Sequence, residues 1–131
     1  MRLAFPALVL VTAIALAQGV RMAVPEPRNP GIELLNLSAP TMAVIGETVS
    51  VYAGLSLPEG RFEKRFRYCG ASGCRTNGWG AVTGPGEWWG YVGAFAPPEP
   101  GRYEAELLLF ERTPTGAWIT AARRAWSIDV R

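Results

Sequence analysis

The sequence predicts an all-β fold, a single antiparallel sandwich of about seven short strands. Short apolar runs recur at intervals of about ten residues from residue 32 onward, and glycines and prolines separate them. Beyond an apolar N-terminal stretch, no segment shows sustained helical periodicity. The chain has 131 residues, of which 49% are hydrophobic and 18% charged, which suits one packed domain better than a disordered chain.

The N-terminal segment, residues 1–17, is predicted to be an apolar helix that acts as a signal peptide. Arg2 supplies a positive start, an almost wholly apolar run follows, and Ala15-Leu16-Ala17 gives the small-x-small pattern that a signal peptidase accepts. An uncleaved membrane anchor is the alternative, because the apolar run is just long enough to span a bilayer. Both interpretations predict an exported domain, periplasmic or at the cell surface, which is membrane-anchored in the second case.

Residues 18–31 are predicted to form a Pro-rich linker, and residues 32–131 the folded domain. The clearest strand is TVSVYAGLSL, in which Val51 and Leu55 share an apolar face while Tyr52 lies on the opposite face. Pro58-Glu59-Gly60 is predicted to form a turn. The other strand candidates are residues 32–37, 42–45, 61–69, 88–96, 102–111 and 117–130.

A row of basic side chains follows the predicted turn, in the run RFEKRFRYC. Phe62, Phe66 and Tyr68 share the apolar face of this run, and Lys64 interrupts that face, which predicts a position near a rim or a β-bulge. Acidic surface groups or lipid head groups would suit such a row. We favour a solvated strand face that discourages edge-to-edge pairing, formed by Arg61, Lys64, Arg65, Arg67 and Arg75.

The two cysteines, Cys69 and Cys74, are expected to form a disulfide in an exported protein. The loop that they close is short, so the bridge would shape a local turn more than hold the domain together. A zinc site is not expected, because two thiolates without any histidine fall short of four ligands. The sequence predicts no metal and no other cofactor.

An enzyme is not expected either. Histidine, the commonest general base, is absent, and no Gly-x-Ser-x-Gly motif occurs. Two glutamates, Glu63 and Glu87, flank the tryptophan-rich segment, and a carboxylate pair can hydrolyse sugars, so a small hydrolase is a second alternative. The net charge of +2 argues against nucleic acid as the main partner.

The tryptophan-rich segment, residues 75–91, is the main candidate site and is predicted to be a loop that leads into a strand. Flat aromatic faces stack on sugars and anchor protein interfaces, and Arg75 offers hydrogen bonds beside them. In a regular strand Trp89, Tyr91 and Phe95 would share one face and Trp88 the other, so one of these faces must be core. The candidate aromatic residues are Trp79, which is expected to be the most exposed, Trp88 and Trp89.

A second candidate surface involves Leu108 and Phe110. Both alternate with the apolar face of their strand, which carries Leu107 and Leu109, and this predicts that they point outward beside acidic residues. Outward apolar pairs indicate a partner surface, although cover by the N-terminal segment is an alternative.

Three stretches of the chain resemble bacterial immunoglobulin-like and fibronectin type III-like modules. VIGETVSVYAGLSL resembles their second strand, PGRYEAELLLFE their penultimate strand, and WSIDV their closing strand. The resemblance implies the same sandwich fold over residues 32–131, with Tyr103 as the tyrosine that closes a corner. The cysteines lie too close in sequence to join two sheets, so nothing antibody-like is implied.

Together these features predict a non-catalytic exported module that binds or scaffolds. Its expected role is protein–protein contact in the cell envelope or on the surface, as in an accessory subunit of a larger assembly. A carbohydrate-binding module that uses residues 75–91 is the alternative. Membrane contact is expected only through the N-terminal segment, if that segment is not cleaved.

Overall fold

The computed structural model describes residues 29–131, and every regular element in this range is a β-strand. The N-terminal segment, with its predicted signal peptide or anchor, and most of the linker lie outside the described residues. Within residues 29–131 there is no helix that could cross a membrane. The strands are β1 (Glu33–Ser38), β2 (Met42–Ala43), β3 (Val49–Gly70), β4 (Gly73–Phe95), β5 (Gly101–Arg112) and β6 (Trp118–Val130).

Two long strands replace several short ones. β3 has 22 residues and β4 has 23, and they pair as one antiparallel hairpin along almost their whole length. The predicted turn at Pro58–Gly60 is a bend within β3, where the register shifts between Leu57 and Gly60. At the bend, Gly84 of β4 lies so close to the Pro58 carbonyl that a side chain at Gly84 would collide with it.

The bend divides the hairpin into two arms, which lie in two packed layers. Layer I contains β1, the first arm of β3 and the second arm of β4. Layer II contains the second arm of β3, the first arm of β4, and then β5, β6 and the short parallel strand β2. The all-β sandwich expected from the sequence is therefore confirmed, with six strands in the described range.

The core lies between the layers and has two parts. One part surrounds Val51, Phe66 and Ile128, which are almost completely buried. The other lies near the bend and includes Leu55, Phe62 and Leu109. Each part joins side chains from both layers, so burial of these apolar surfaces holds the layers together.

On one side of the sandwich, the two arms of β4 meet directly. The side-chain amide of Asn77 donates to the Ala94 carbonyl at 2.8 Å and accepts from the Ala94 amide at 2.9 Å. This amide therefore supplies both hydrogen bonds that a neighbouring strand would otherwise make, and it closes this side of the sandwich.

Two local features lie near the β3–β4 turn. Cys69 and Cys74 form a disulfide directly across the β3–β4 turn, as the sequence predicts. The Tyr103 hydroxyl donates to the Glu99 carbonyl at 2.8 Å and accepts from the Glu99 amide at 3.3 Å. These bonds fix the corner through which the chain enters β5.

Candidate functional site

Three exposed aromatic side chains form a continuous patch on the outer surface of layer I, here called the aromatic face. Tyr52 of β3 and Trp89 and Tyr91 of β4 are exposed by 49%, 56% and 44% respectively. Tyr52 lies opposite Tyr91 in the register, and Gly54 lies opposite Trp89. The two tyrosine rings meet edge to face, with centroids 6.0 Å apart.

A β-bulge explains why these rings point outward. The register shifts between Val51 and Tyr52, and leaves Val92 of β4 without a cross-strand partner. One extra residue reverses the alternation of faces, so Val92 and Phe95 are both buried while Tyr91 is exposed. The expectation that Trp89, Tyr91 and Phe95 share a face is therefore wrong.

Trp89 lies across the sheet on top of Gly54. A β-carbon at Gly54 would overlap the indole ring, so glycine at this position leaves the room that the ring occupies. The indole Nε1–H donates to Glu87 Oε1 at 3.1 Å. This bond and the contact with Gly54 hold the ring against the sheet surface and leave its other side open.

The Trp88 side chain points toward the core. It is partly buried and packs against both parts of the core. The structure therefore separates Trp88 from Trp89, which points outward, as alternation in a strand requires.

Trp79 belongs to a different surface, on layer II, and it lies in a strand rather than in a loop. Residues 75–91 are entirely within β4, because the glycine-rich part pairs along the second arm of β3. Trp79 is 56% exposed, and the Arg65 guanidinium lies 3.9 Å from its ring centroid and 4.5 Å from that of Phe110. A cation–π stack thus links three neighbouring strands.

The surface predicted around Leu108 and Phe110 is partly covered by Arg65 of this stack. Leu108 and Phe110 point away from the core, since Leu107 and Leu109 are buried, but both are only partly exposed. Arg65 covers one side of Phe110 and also bonds Glu63 at 2.9 Å. Arg75 lies opposite Tyr68 near the disulfide hairpin, in layer II, and the register does not bring it to the aromatic face.

Lys64, the only lysine of the sequence, has a buried side chain. It is 7% exposed, and its Nζ donates to the Gly78 carbonyl at 2.7 Å. The rings of Trp88 and Tyr91 lie with their centroids 5.8 and 5.9 Å from Nζ. No carboxylate of residues 29–131 lies within 4 Å of it, and burial lowers the pKa of Lys64 from its ordinary value. The predicted bulge is present beside it, between Lys64 and Phe66.

The two carboxylates considered for hydrolysis do not come together. Glu63 points outward from layer II and bonds Arg65, whereas Glu87 belongs to layer I and bonds Trp89. In the part of the chain that the structure describes, no three His, Cys, Asp or Glu side chains cluster in a way that could hold a metal ion.

Tyr52 is the member of the aromatic face that sequence reasoning did not select. Alternation in TVSVYAGLSL already placed it on the outer face, which was the available signal. Tyr52 joins the aromatic face because it pairs with Tyr91, and this pairing is set by a bulge at Val92, which lies far from Tyr52 in the sequence.

Comparison with known proteins supports the fold. No protein-family model and no curated protein matches the chain. The CARDB domain of the PF1109 protein from Pyrococcus furiosus, in complex with di-metal ions, is similar over 86% of this chain and 97% of that domain, with 8% identity and a TM-score of 0.51. The native conformation of Escherichia coli alpha-2-macroglobulin matches over 77% of this chain, with 16% identity and a TM-score of 0.49. This chain spans 7% of the length of that protein. The architecture is an immunoglobulin-like β-sandwich.

Proposed function

We propose that the domain is a non-catalytic binding module, exported to the cell envelope or surface, that holds a partner protein through the aromatic face. The observation that carries the proposal is the exposure of Tyr52, Trp89 and Tyr91 side by side, with no element of residues 29–131 covering them. Large rings left in water are costly unless a partner buries them, and such rings are frequent anchors of interfaces.

The surroundings of the aromatic face support a protein partner. Polar residues border it along β1 and at one end, because the register places Asn36 and Ser38 of β1 beside Gly54 and Tyr52, and Glu87 lies next to Trp89 along β4. An apolar centre within a polar rim is the usual composition of a protein interface. Tyrosine and tryptophan also lose little conformational entropy when they are immobilised.

Capture from envelope extracts of the source cells tests this proposal. The immobilised domain should retain one protein that a Trp89→Ala/Tyr91→Ala variant fails to retain, because the anchors are gone. Trp118→Ala is the matched control, since Trp118 is also exposed but lies at the start of β6. Equal capture by the double variant would show that the aromatic face does not bind the partner.

A carbohydrate ligand is the second candidate, and the position of Trp89 favours it. The Trp89 ring packs over Gly54 and is 56% exposed, and such an exposed ring suits the apolar face of a sugar. Binding on a glycan array that disappears in Trp89→Ala and persists in Trp118→Ala would support this ligand class. A wild-type domain that binds no glycan would exclude it and leave the protein partner.

The exported location is part of the proposal and has its own test. The disulfide is consistent with an oxidising compartment. Mass spectrometry of the native protein should find a chain that begins at residue 18, which is the expectation for a cleaved signal peptide. A chain that retains residue 1 in the membrane fraction would instead establish the anchor.

A further inference from the structure

A groove runs along the open side of the sandwich, between β1 of layer I and β6 of layer II. No hydrogen bonds join these two strands in the described range. The groove consists of two adjoining depressions of about 170 and 360 Å³, and Leu34 and Arg124 line both of them. Its lining is otherwise mainly apolar and includes Leu37, Leu107, Leu109 and Trp126.

The groove exists because the chain changes layers. β1 pairs with β3 in layer I, and after Ala39-Pro40 the chain joins β6 in layer II as the two-residue strand β2. β2 pairs only with Asp129 and Val130, at the end of β6. The rest of that edge of β6 has no neighbouring strand among residues 29–131.

The unpaired backbone groups of this edge can be assigned. Asp129 and Arg131 donate their amides to the carbonyls of Thr41 and Ala43, at 2.9 and 3.0 Å. Every second residue of a regular strand directs its backbone groups to the same side, so those of Ser127, Ala125 and Arg123 point the same way. This row is a template for an added strand.

Two side chains at the groove also lack a hydrogen-bond acceptor or an ion-pair partner among residues 29–131. The indole Nε1 of Trp126 is buried without an acceptor in the described part of the molecule. Arg124 is exposed and has no carboxylate within 4 Å among residues 29–131, whereas its neighbour Arg123 bonds Glu106 at 3.3 Å. A buried donor and a free guanidinium together favour an occupant that carries acceptors and negative charge.

We propose that this groove binds an extended peptide segment of a partner protein, with alternating apolar residues and at least one acidic residue, as an added strand on β6. The peptide backbone pairs with Arg123, Ala125 and Ser127. Its apolar side chains fill the depressions, and its carboxylate bonds Arg124. This site lies on the open side of the sandwich and does not depend on the aromatic face or on the function proposed for it.

A displayed library of random twelve-residue peptides, selected against the full chain, identifies the preferred occupant. The selected sequences should alternate apolar residues and contain Asp or Glu. A synthetic peptide of the best sequence, titrated into the ¹⁵N-labelled protein, should shift the Trp126 indole signal and the amides of Arg123, Ala125 and Ser127. Selection of sequences without alternation, or shifts confined to other residues, would overturn the proposal.

Variants separate charge recognition from strand pairing. Arg124→Ala should weaken binding of the peptide about tenfold. Replacing the acidic residue of the peptide by its amide should weaken binding to the wild-type protein by the same factor. The amide peptide should bind Arg124→Ala no more weakly than the acidic peptide does. Ala125→Pro should abolish binding, since proline removes an edge donor and is tolerated on edges. If that variant does not fold, a peptide N-methylated at its central residues provides the same test, and unchanged affinity would overturn the proposal.

Two controls identify the occupant and the surface. Trp89→Ala should bind the peptide as the wild type does, so loss of the aromatic face and loss of the groove are distinguishable. Hydrogen exchange of the edge amides without peptide should be fast. Protection of these amides in the free chain, by its own N-terminal segment or in a dimer detected by light scattering, would overturn the proposal of a partner peptide.

Discussion

Asn77 and Ala94 lie 17 residues apart on one strand, yet they form a pair of hydrogen bonds with each other. The Asn77 side chain acts as a substitute peptide group that joins the two arms of β4. The arms belong to different layers, so this pair closes the sandwich on the side opposite the groove.

Substitution of Asn77 by alanine should therefore destabilise the whole domain. Two partly buried hydrogen bonds are lost and the Ala94 backbone groups are left without partners, which costs about 1–3 kcal/mol of unfolding free energy. Urea denaturation measures this change. Thr76→Ala, at the neighbouring exposed position of β4, is the control and should shift the midpoint little. Equal effects of both substitutions would mean that the amide pair does not hold the arms together.

Lys64→Met should change how stability depends on pH. Burial lowers the pKa of Lys64 below 10.5, so between the lowered value and 10.5 the unfolded chain binds more protons than the folded one. The wild type should thus gain unfolding free energy relative to the variant as the pH rises toward 10.5. Below the lowered pKa the full cost of burying the charged amine persists.

Denaturant titrations of both proteins at several pH values measure this difference. Arg61→Met, at an exposed position of β3, is the control and should follow the wild type. A constant difference between wild type and Lys64→Met would contradict the lowered pKa.

Gly54→Ala should displace the Trp89 ring without removing it. A methyl group at this position overlaps the indole, and the ring must leave the sheet surface and its bond with Glu87. We expect a red shift of tryptophan fluorescence and a loss of about 1 kcal/mol in stability. Ser56→Ala, the next outward position of β3, should change neither quantity. Should the fluorescence of Gly54→Ala match that of the wild type, the ring does not rest on Gly54.

Removal of the disulfide by Cys69→Ser/Cys74→Ser should lower the unfolding free energy by about 2 kcal/mol, because the closed loop is short. Chemical denaturation with and without a reductant gives the measurement. The reductant should lower the stability of the wild type to that of the variant and should leave the variant unchanged. Loss of folding in the variant would show that the bridge holds more than the hairpin.

Alternation in the sequence was sufficient to identify much of the core. It placed Val51 and Leu55 inside, and Leu107 and Leu109 likewise, and the structure buries all four. The β-sandwich followed from the number and spacing of such strands, and the resemblance of three stretches to bacterial immunoglobulin-like modules implied the rest of the architecture. Local pattern is informative here because one buried face imposes period two on the sequence.

The strand character of the glycine-rich segment and the composition of the aromatic face depended on pairing between residues that are distant in the sequence. The stretch from Arg75 to Gly86 has too many glycines to look like a strand, yet the long partner strand β3 supplies its hydrogen bonds. The orientation of Tyr91 depends on the bulge at Val92, which has no clear local signal. The aromatic face therefore emerged only when Tyr52 and Tyr91 were paired.

The burial of the Lys64 side chain has a practical consequence. Because this side chain carries the only lysine amine of the chain and is buried, amine-directed coupling of the folded protein should occur at the N-terminal α-amine alone. A lysine-specific protease would likewise find its single cleavage site only in molecules that have opened. After brief digestion with such a protease, the fraction of chain that is cut at Lys64 would therefore measure the fraction of molecules that have opened.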